Sequence, residues 1–79
     1  MDEKVKNELY KHLDMFAKNL KLERIAKGLT QKQLAEMLDI KPQSYQAYEK
    51  GLTLPSVENL IKISMLLSLS LDELFEINN

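Results

Sequence analysis

Few side chains in this sequence are equipped to make or break bonds. There is one histidine, no cysteine and only two glycines, so the usual nucleophile, metal and phosphate-cradle constellations are absent. His12, between Lys11 and Leu13 in a charged stretch, reads as a solvated surface residue rather than a ligand. Asp72 and Glu73 are adjacent carboxylates, and they suit the positive end of a helix better than acid–base work. No catalytic residue, metal site or cofactor is therefore expected, and the chain is not read as an enzyme. The remaining chemistry is non-covalent. Carboxamides, hydroxyls and ammonium groups cluster between positions 31 and 53, as Gln31, Lys32, Lys41, Gln43, Ser44, Gln46, Lys50 and Thr53. Such groups recognise a partner by hydrogen bonding and charge.

Two short helices must position them. Thr30 and Gln33 have the spacing of a capping box, so a helix opens at Gln31. Leu34, Ala35 and Leu38 then share one face at three- and four-residue steps. Asp39 stops that helix where a left-handed residue is useful, a conformation Asp tolerates better than most. Pro42 fits the first position of the next helix, where its missing N–H costs nothing. Tyr45 and Tyr48 face inward as core rather than as base-stacking groups, and Gly51 suits a left-handed stop. A pair of helices joined this way can place the second in the DNA major groove.

From about Phe16 to Phe75 the chain resembles the phage Cro/CI-type helix-turn-helix proteins, the XRE-like regulators. Four segments carry the resemblance in order: KGLTQKQLAEML, the helix pair itself, EKGLTLPSVENL and SLSLDELF. It implies an all-α, five-helix, lambda-repressor-like DNA-binding domain, and a sequence-specific transcriptional regulator acting as a repressor. It also assigns roles. The base-reading positions fall on Pro42, Gln43 and Ala47, with Ser44 and Gln46 beside them. A Gln43 carboxamide can pair with both N6 and N7 of adenine, and the Ala47 methyl can touch a thymine methyl one turn along. Phosphate contacts fall on Gln31, Lys32, Lys41, Lys50 and Thr53. Three positions depart from the family pattern. Asp39 replaces a glycine, Lys41–Pro42 replace a polar cap and its neighbour, and Tyr45 replaces a smaller aliphatic residue. Pro42 offers no donor, so one hydrogen-bonding position of the reading face is lost.

Charge agrees with a one-faced interaction. The net charge is −1, which argues against indiscriminate nucleic-acid binding. Residues 16–55 hold seven cations against four acids, whereas residues 56–79 hold one against four. The motif thus occupies the basic part of an otherwise acidic chain. Hydrophobic content is 44%, enough for a small core, and no segment has the length or apolarity of a membrane span. The charged start MDEKVKNELYKHL is not a signal peptide, and a cytoplasmic location is expected.

The whole chain, 1–79, reads as a single domain, with 30–50 as the helix-turn-helix and 1–15 as a helical extension. The first helix is expected from about Asp2 to Lys27, the second over Gln31–Leu38 and the third over Pro42–Lys50. The fourth begins at Pro55–Ser56, and the fifth opens at Ser70 with a second capping box to Glu73. Val5, Leu9, Leu13, Phe16 and Leu20 form one apolar stripe on the first helix. Val5, Leu9 and Leu13 lie beyond the part that the family resemblance covers. One recognition helix reads only a few base pairs, so a homodimer on double-stranded DNA is expected, with a palindromic operator whose half-sites lie about 34 Å apart. No second domain is apparent, so the interface is sought on the helices themselves. The candidates are Leu71, Phe75 and Ile77 at the C-terminal end, or Val5, Leu9 and Leu13 at the N-terminal end. The competing reading keeps the fold and makes it a protein-interaction module or antitoxin, bound to a toxin or another regulator. It draws on the acidic net charge and on a recognition helix without arginine.

Overall fold

A computed structural model describes residues 1–77 and contains five helices and no strand among them: α1 (Glu3–Ala26), α2 (Gln31–Leu38), α3 (Pro42–Glu49), α4 (Val57–Leu67) and α5 (Leu71–Phe75). Each start has a local cause. The Asp2 carboxylate accepts from the N–H of Lys4 at 2.7 Å and opens α1. Thr30 and Gln33 form the expected capping box, at 3.0 Å and 2.8 Å. Pro42 is the first residue of α3, where no side chain caps the helix. Ser56 accepts from the Asn59 N–H at 3.1 Å, and Ser70 with Glu73 makes the second box, at 3.0 Å and 3.1 Å.

Four of the helices stop by one device. The N–H of the second or third residue past the helix returns to a carbonyl five positions earlier: Leu29 to Arg24, Ile40 to Ala35, Leu52 to Ala47 and Leu69 to Ser64, all between 3.0 and 3.1 Å. The residue before each donor is left-handed: Gly28 (φ 72°), Asp39 (φ 58°), Gly51 (φ 72°) and Ser68 (φ 55°). Asp39 therefore takes the conformation its side chain tolerates. Ser68 is a further left-handed position, carrying a Cβ that costs something there. Leu29, Ile40 and Leu69 fold back onto the core, while Leu52 stays exposed.

The core consists of Phe16 and Leu20 from α1, Leu34, Ala35 and Leu38 from α2, Tyr45 and Tyr48 from α3, Ile63 and Leu67 from α4, and Leu74 from α5. Both tyrosines are buried, as their inward spacing implied. The Tyr48 hydroxyl accepts from Asn59 Nδ2 at 3.4 Å, tying α3 to α4. Phe16 stacks on Phe75 with ring centroids 4.6 Å apart.

At 24 residues and 1.5 Å each, α1 is about 36 Å long and sets the 38 Å long dimension of the molecule. Its inner half packs on α5. Its first turns do not: Val5 and Leu9 are exposed, and only Leu13 of the N-terminal three is partly covered. His12 corrects the sequence expectation. It is partly buried, and its Nδ1 lies 2.9 Å from the Phe75 carbonyl oxygen, which can only accept; Nδ1 therefore carries the hydrogen. The reason is the brevity of α5, whose last carbonyls have no partner inside the helix. Asn19 serves the same end, donating to the Leu74 carbonyl at 3.0 Å and to Glu76 Oε2 at 2.9 Å. No helix of the described residues is long and apolar enough to cross a membrane.

Ala35 is completely buried, and the family resemblance implies that its small side chain lets the two motif helices approach closely. Ala35→Leu should lower unfolding stability by about 1–3 kcal/mol through overpacking. Thermal unfolding at the wild-type midpoint would show that Ala35 does not sit at that contact.

Candidate nucleic-acid interface

The candidate site is built on a carboxylate that sequence reading treated as one charge among many. The Glu49 side chain, at the last residue of α3, is only 3% exposed. It accepts from three elements at once. Arg24 of α1 donates from Nε at 2.6 Å to one oxygen and from an Nη at 3.2 Å to the other. Gln31 of α2 donates to the second oxygen at 3.0 Å. The Tyr45 hydroxyl, one turn back on α3, donates to the first. Arg24 also donates to the Leu29 carbonyl at 2.7 Å, fixing the turn between α1 and α2. Among the described residues, no buried side-chain nitrogen or oxygen is left without a hydrogen-bond partner.

The electrostatics follow from this geometry. Burial alone pushes the Glu49 carboxyl up, but the hydrogen bonds from Arg24, Tyr45 and Gln31 outweigh it and hold the group below its ordinary value of 4.5. The hydrogen bond to Glu49 raises the Arg24 guanidinium, against the opposing effect of burial. Burial, and then the bond to Glu49, raises the Tyr45 phenol and keeps it neutral.

This cluster and the buried tyrosines hold one side of α3, and the other side is open. Lys41, Pro42, Gln43 and Ser44 are exposed at its N-terminal end, and Gln46 and Ala47 are half-buried beside them. The five residues expected to read bases thus all lie on one short helix, Pro42, Gln43 and Ser44 in its first turn and Gln46 and Ala47 in the next. Lys32, Lys50 and Thr53 are exposed as well. Gln31 differs from the other phosphate candidates, because its amide is already engaged by Glu49. Of the residues considered for a subunit interface, Leu71, Ile77, Val5 and Leu9 are exposed, whereas Phe75 is half-buried in its stack on Phe16.

Arg24 and Glu49 were missed as a pair, although a signal was present. Phe16, Leu20 and Arg24 continue one stripe at four-residue steps, so the only arginine falls on the buried face of α1. Glu49 stands four residues after the inward Tyr45. No group of three or more His, Cys, Asp or Glu residues is placed to hold a metal ion among the described residues.

Residues 20–74 match the helix-turn-helix family, and the chain belongs to it, among the XRE-type transcriptional regulators. It is 39% identical over 72 residues to an uncharacterized HTH-type transcriptional regulator of Rickettsia conorii, an alignment covering 90% of this chain and 58% of that protein. It is 45% identical over 62 residues to the uncharacterized HTH-type transcriptional regulator YqaE of Bacillus subtilis, covering 78% of this chain and 53% of the relative. With RstR, a cryptic phage CTXphi transcriptional repressor of Vibrio cholerae, it shares 46% identity over 52 residues, covering 66% and 46%. The chain therefore spans about half the length of the curated relatives it matches. No solved structure matches it significantly.

Removing the Glu49 charge tests the cluster. Glu49→Gln leaves Arg24 buried and uncompensated, and should cost about 3 kcal/mol or more near neutral pH. The pH dependence carries the sign. Because the folded carboxyl lies below 4.5, its contribution is complete above that value and is lost as pH falls from 4.5 through the folded pKa. Chemical denaturation across this range should show that loss in the wild type and its absence in the variant. Parallel pH profiles would remove Glu49 from the stability of the fold.

Proposed function

We propose that this chain is a sequence-specific transcriptional repressor that binds a palindromic operator as a dimer, with the N-terminal half of α3 in the major groove. The observation that carries this reading is the division of α3. Tyr45, Tyr48 and Glu49 are committed to the protein, whereas Pro42, Gln43 and Ser44 stand exposed at the end that leads into the groove in such motifs. Gln43 is the principal reader, through adenine N6 and N7, and Ala47 offers its methyl to thymine. Gln46 and Ser44 are positioned beside it, and Pro42 contributes apolar contact only. The name of RstR, a phage transcriptional repressor, supports the repressing role.

Phosphates are met on both sides of the recognition helix. Lys41 and Lys50 bracket α3, Thr53 follows in the loop, and Lys32 lies on the first turn of α2. The Gln31 amide is tied to Glu49, so the contribution of that position comes from the first-turn N–H groups of α2. A single α3 covers too few base pairs for specificity, and a dyad supplies the second, about one helical turn away. Exposed apolar residues at the N-terminal end (Val5, Leu9) and at the C-terminal end (Leu71, Ile77) are available for protein contacts.

Two substitutions separate base reading from charge. Gln43→Ala should cost about 1–3 kcal/mol on the preferred operator and relax preference at one position per half-site. Equal weakening on every duplex would make Gln43 a backbone contact. Lys50→Ala should weaken all duplexes alike and reduce the salt slope by roughly one unit per subunit. An unchanged slope would take Lys50 off the phosphate surface. Failure of the wild type to bind any duplex at low salt would sink the DNA reading in favour of a protein partner.

A further inference from the structure

Helix α4 is more apolar than its place in the fold requires. Seven of its eleven residues are apolar: Val57, Leu60, Ile61, Ile63, Met65, Leu66 and Leu67. Ile63 and Leu67 are buried, and Leu60 and Leu66 pack partly against the core. Val57, Ile61 and Met65 do neither. They recur every four residues, so they share one face over two turns, and they are 72%, 50% and 74% exposed. Large apolar side chains grouped in this way mark an interaction surface.

We propose that this face is the two-fold interface of the dimer, an antiparallel α4–α4 pair between two copies of this chain, centred near Ile61. The proposal rests on the dimeric reading above and supplies its interface. The charges on the helix select the occupant. About a two-fold axis, an antiparallel pair brings the same flank of each helix alongside itself. Glu58 and Lys62 lie on one flank, on either side of Ile61, and now make only a loose, exposed intrahelical pair at 3.9 Å. With Val57 level with Met65 across the axis, Glu58 of one copy lies about 3 Å along the helix from Lys62 of the second, and the reverse, within reach of their long side chains. The face is thus complementary to itself in charge as well as in apolarity, as an isologous contact requires.

The C-terminal alternative lacks this property. Leu71 and Ile77 are interleaved with Asp72, Glu73 and Glu76, so a dyad there sets acid against acid. At the N-terminal end the exposed helical stripe has two residues, Val5 and Leu9, with Leu13 partly covered, against three on α4.

The absence of cysteine makes the test direct. Ile61→Cys, near the axis, should convert to a covalent dimer under mild oxidation, and Leu9→Cys and Leu71→Cys should not. By sedimentation equilibrium of the full chain at high micromolar concentration, the wild type should be dimeric. Ile61→Glu should raise the dimer Kd at least about 30-fold, as loss of a central apolar anchor does, with helicity unchanged. Glu58→Lys should weaken the dimer, and Glu58→Lys with Lys62→Glu should restore it. A wild type that stays monomeric, an Ile61→Glu chain that stays dimeric, or cross-linking at Leu9→Cys or Leu71→Cys instead would each overturn the proposal. Titration of the same samples with duplex DNA separates the two readings. Dimerisation through α4 without any DNA binding supports the interface and removes the operator. DNA binding by a wild type that stays monomeric removes the interface and the dimeric reading with it, and leaves DNA recognition by α3 standing.

Discussion

One buried carboxylate fixes where the recognition helix lies. Glu49 draws donors from α1, α2 and α3 onto two oxygens, and each donor would be costly to bury without it. Arg24 bears most of this constraint. It is a cation on the apolar stripe of the longest helix, and burying it is tolerable only because its fork meets both carboxylate oxygens and the Leu29 carbonyl. A buried ion pair of this kind adds little net stability compared with apolar residues of the same size. Its consequence is geometric: the C-terminal end of α3 is held at one point, and rotation of α3 about its own axis would break several bonds together.

The rest of the recognition unit follows from that point. Tyr45 fills space in the core and also supplies one of the Glu49 bonds, so the larger residue at this position is part of the cluster as well as of the packing. Asp39 accepts the left-handed turn between α2 and α3 without a glycine. Pro42 sets the first φ of α3 but leaves that position without a donor. On the proposed reading, the face that meets DNA is accordingly narrow and is dominated by the carboxamide of Gln43. The same proposal draws affinity from flanking lysines and from duplication, and so ties the function of a small α3 to the surfaces that would join two copies.

Much of this was legible in the sequence because its causes are local. Capping boxes at Thr30–Gln33 and Ser70–Glu73, a cap at Ser56, and stops at Gly28, Asp39 and Gly51 depend on a few adjacent residues, and the helices lie where these signals put them. The inward faces of α2 and α3 follow from spacing alone. What was illegible depends on contacts distant in the chain. His12 looked solvated because its neighbours are charged, yet its partner is a carbonyl 63 positions away at the end of a helix too short to satisfy it. The Arg24–Glu49 pair spans 25 positions, and only the interruption of an apolar stripe by the sole arginine hinted at it. The left-handed Ser68 went unseen because serine gives no signal for that conformation, although a leucine follows it as one follows Gly28 and Gly51.

The central claim is that the exposed end of α3 reads a defined DNA sequence twice about a dyad. Selection of bound duplexes by the full chain from a random pool tests it in one measurement, since it reports binding, half-site sequence and symmetry together. The account predicts enrichment of inverted repeats whose half-sites are centred about one helical turn apart, with adenine preferred at the position facing Gln43. Recovery of a pool no different from the input, or of sites without any repeated half-site, would contradict it.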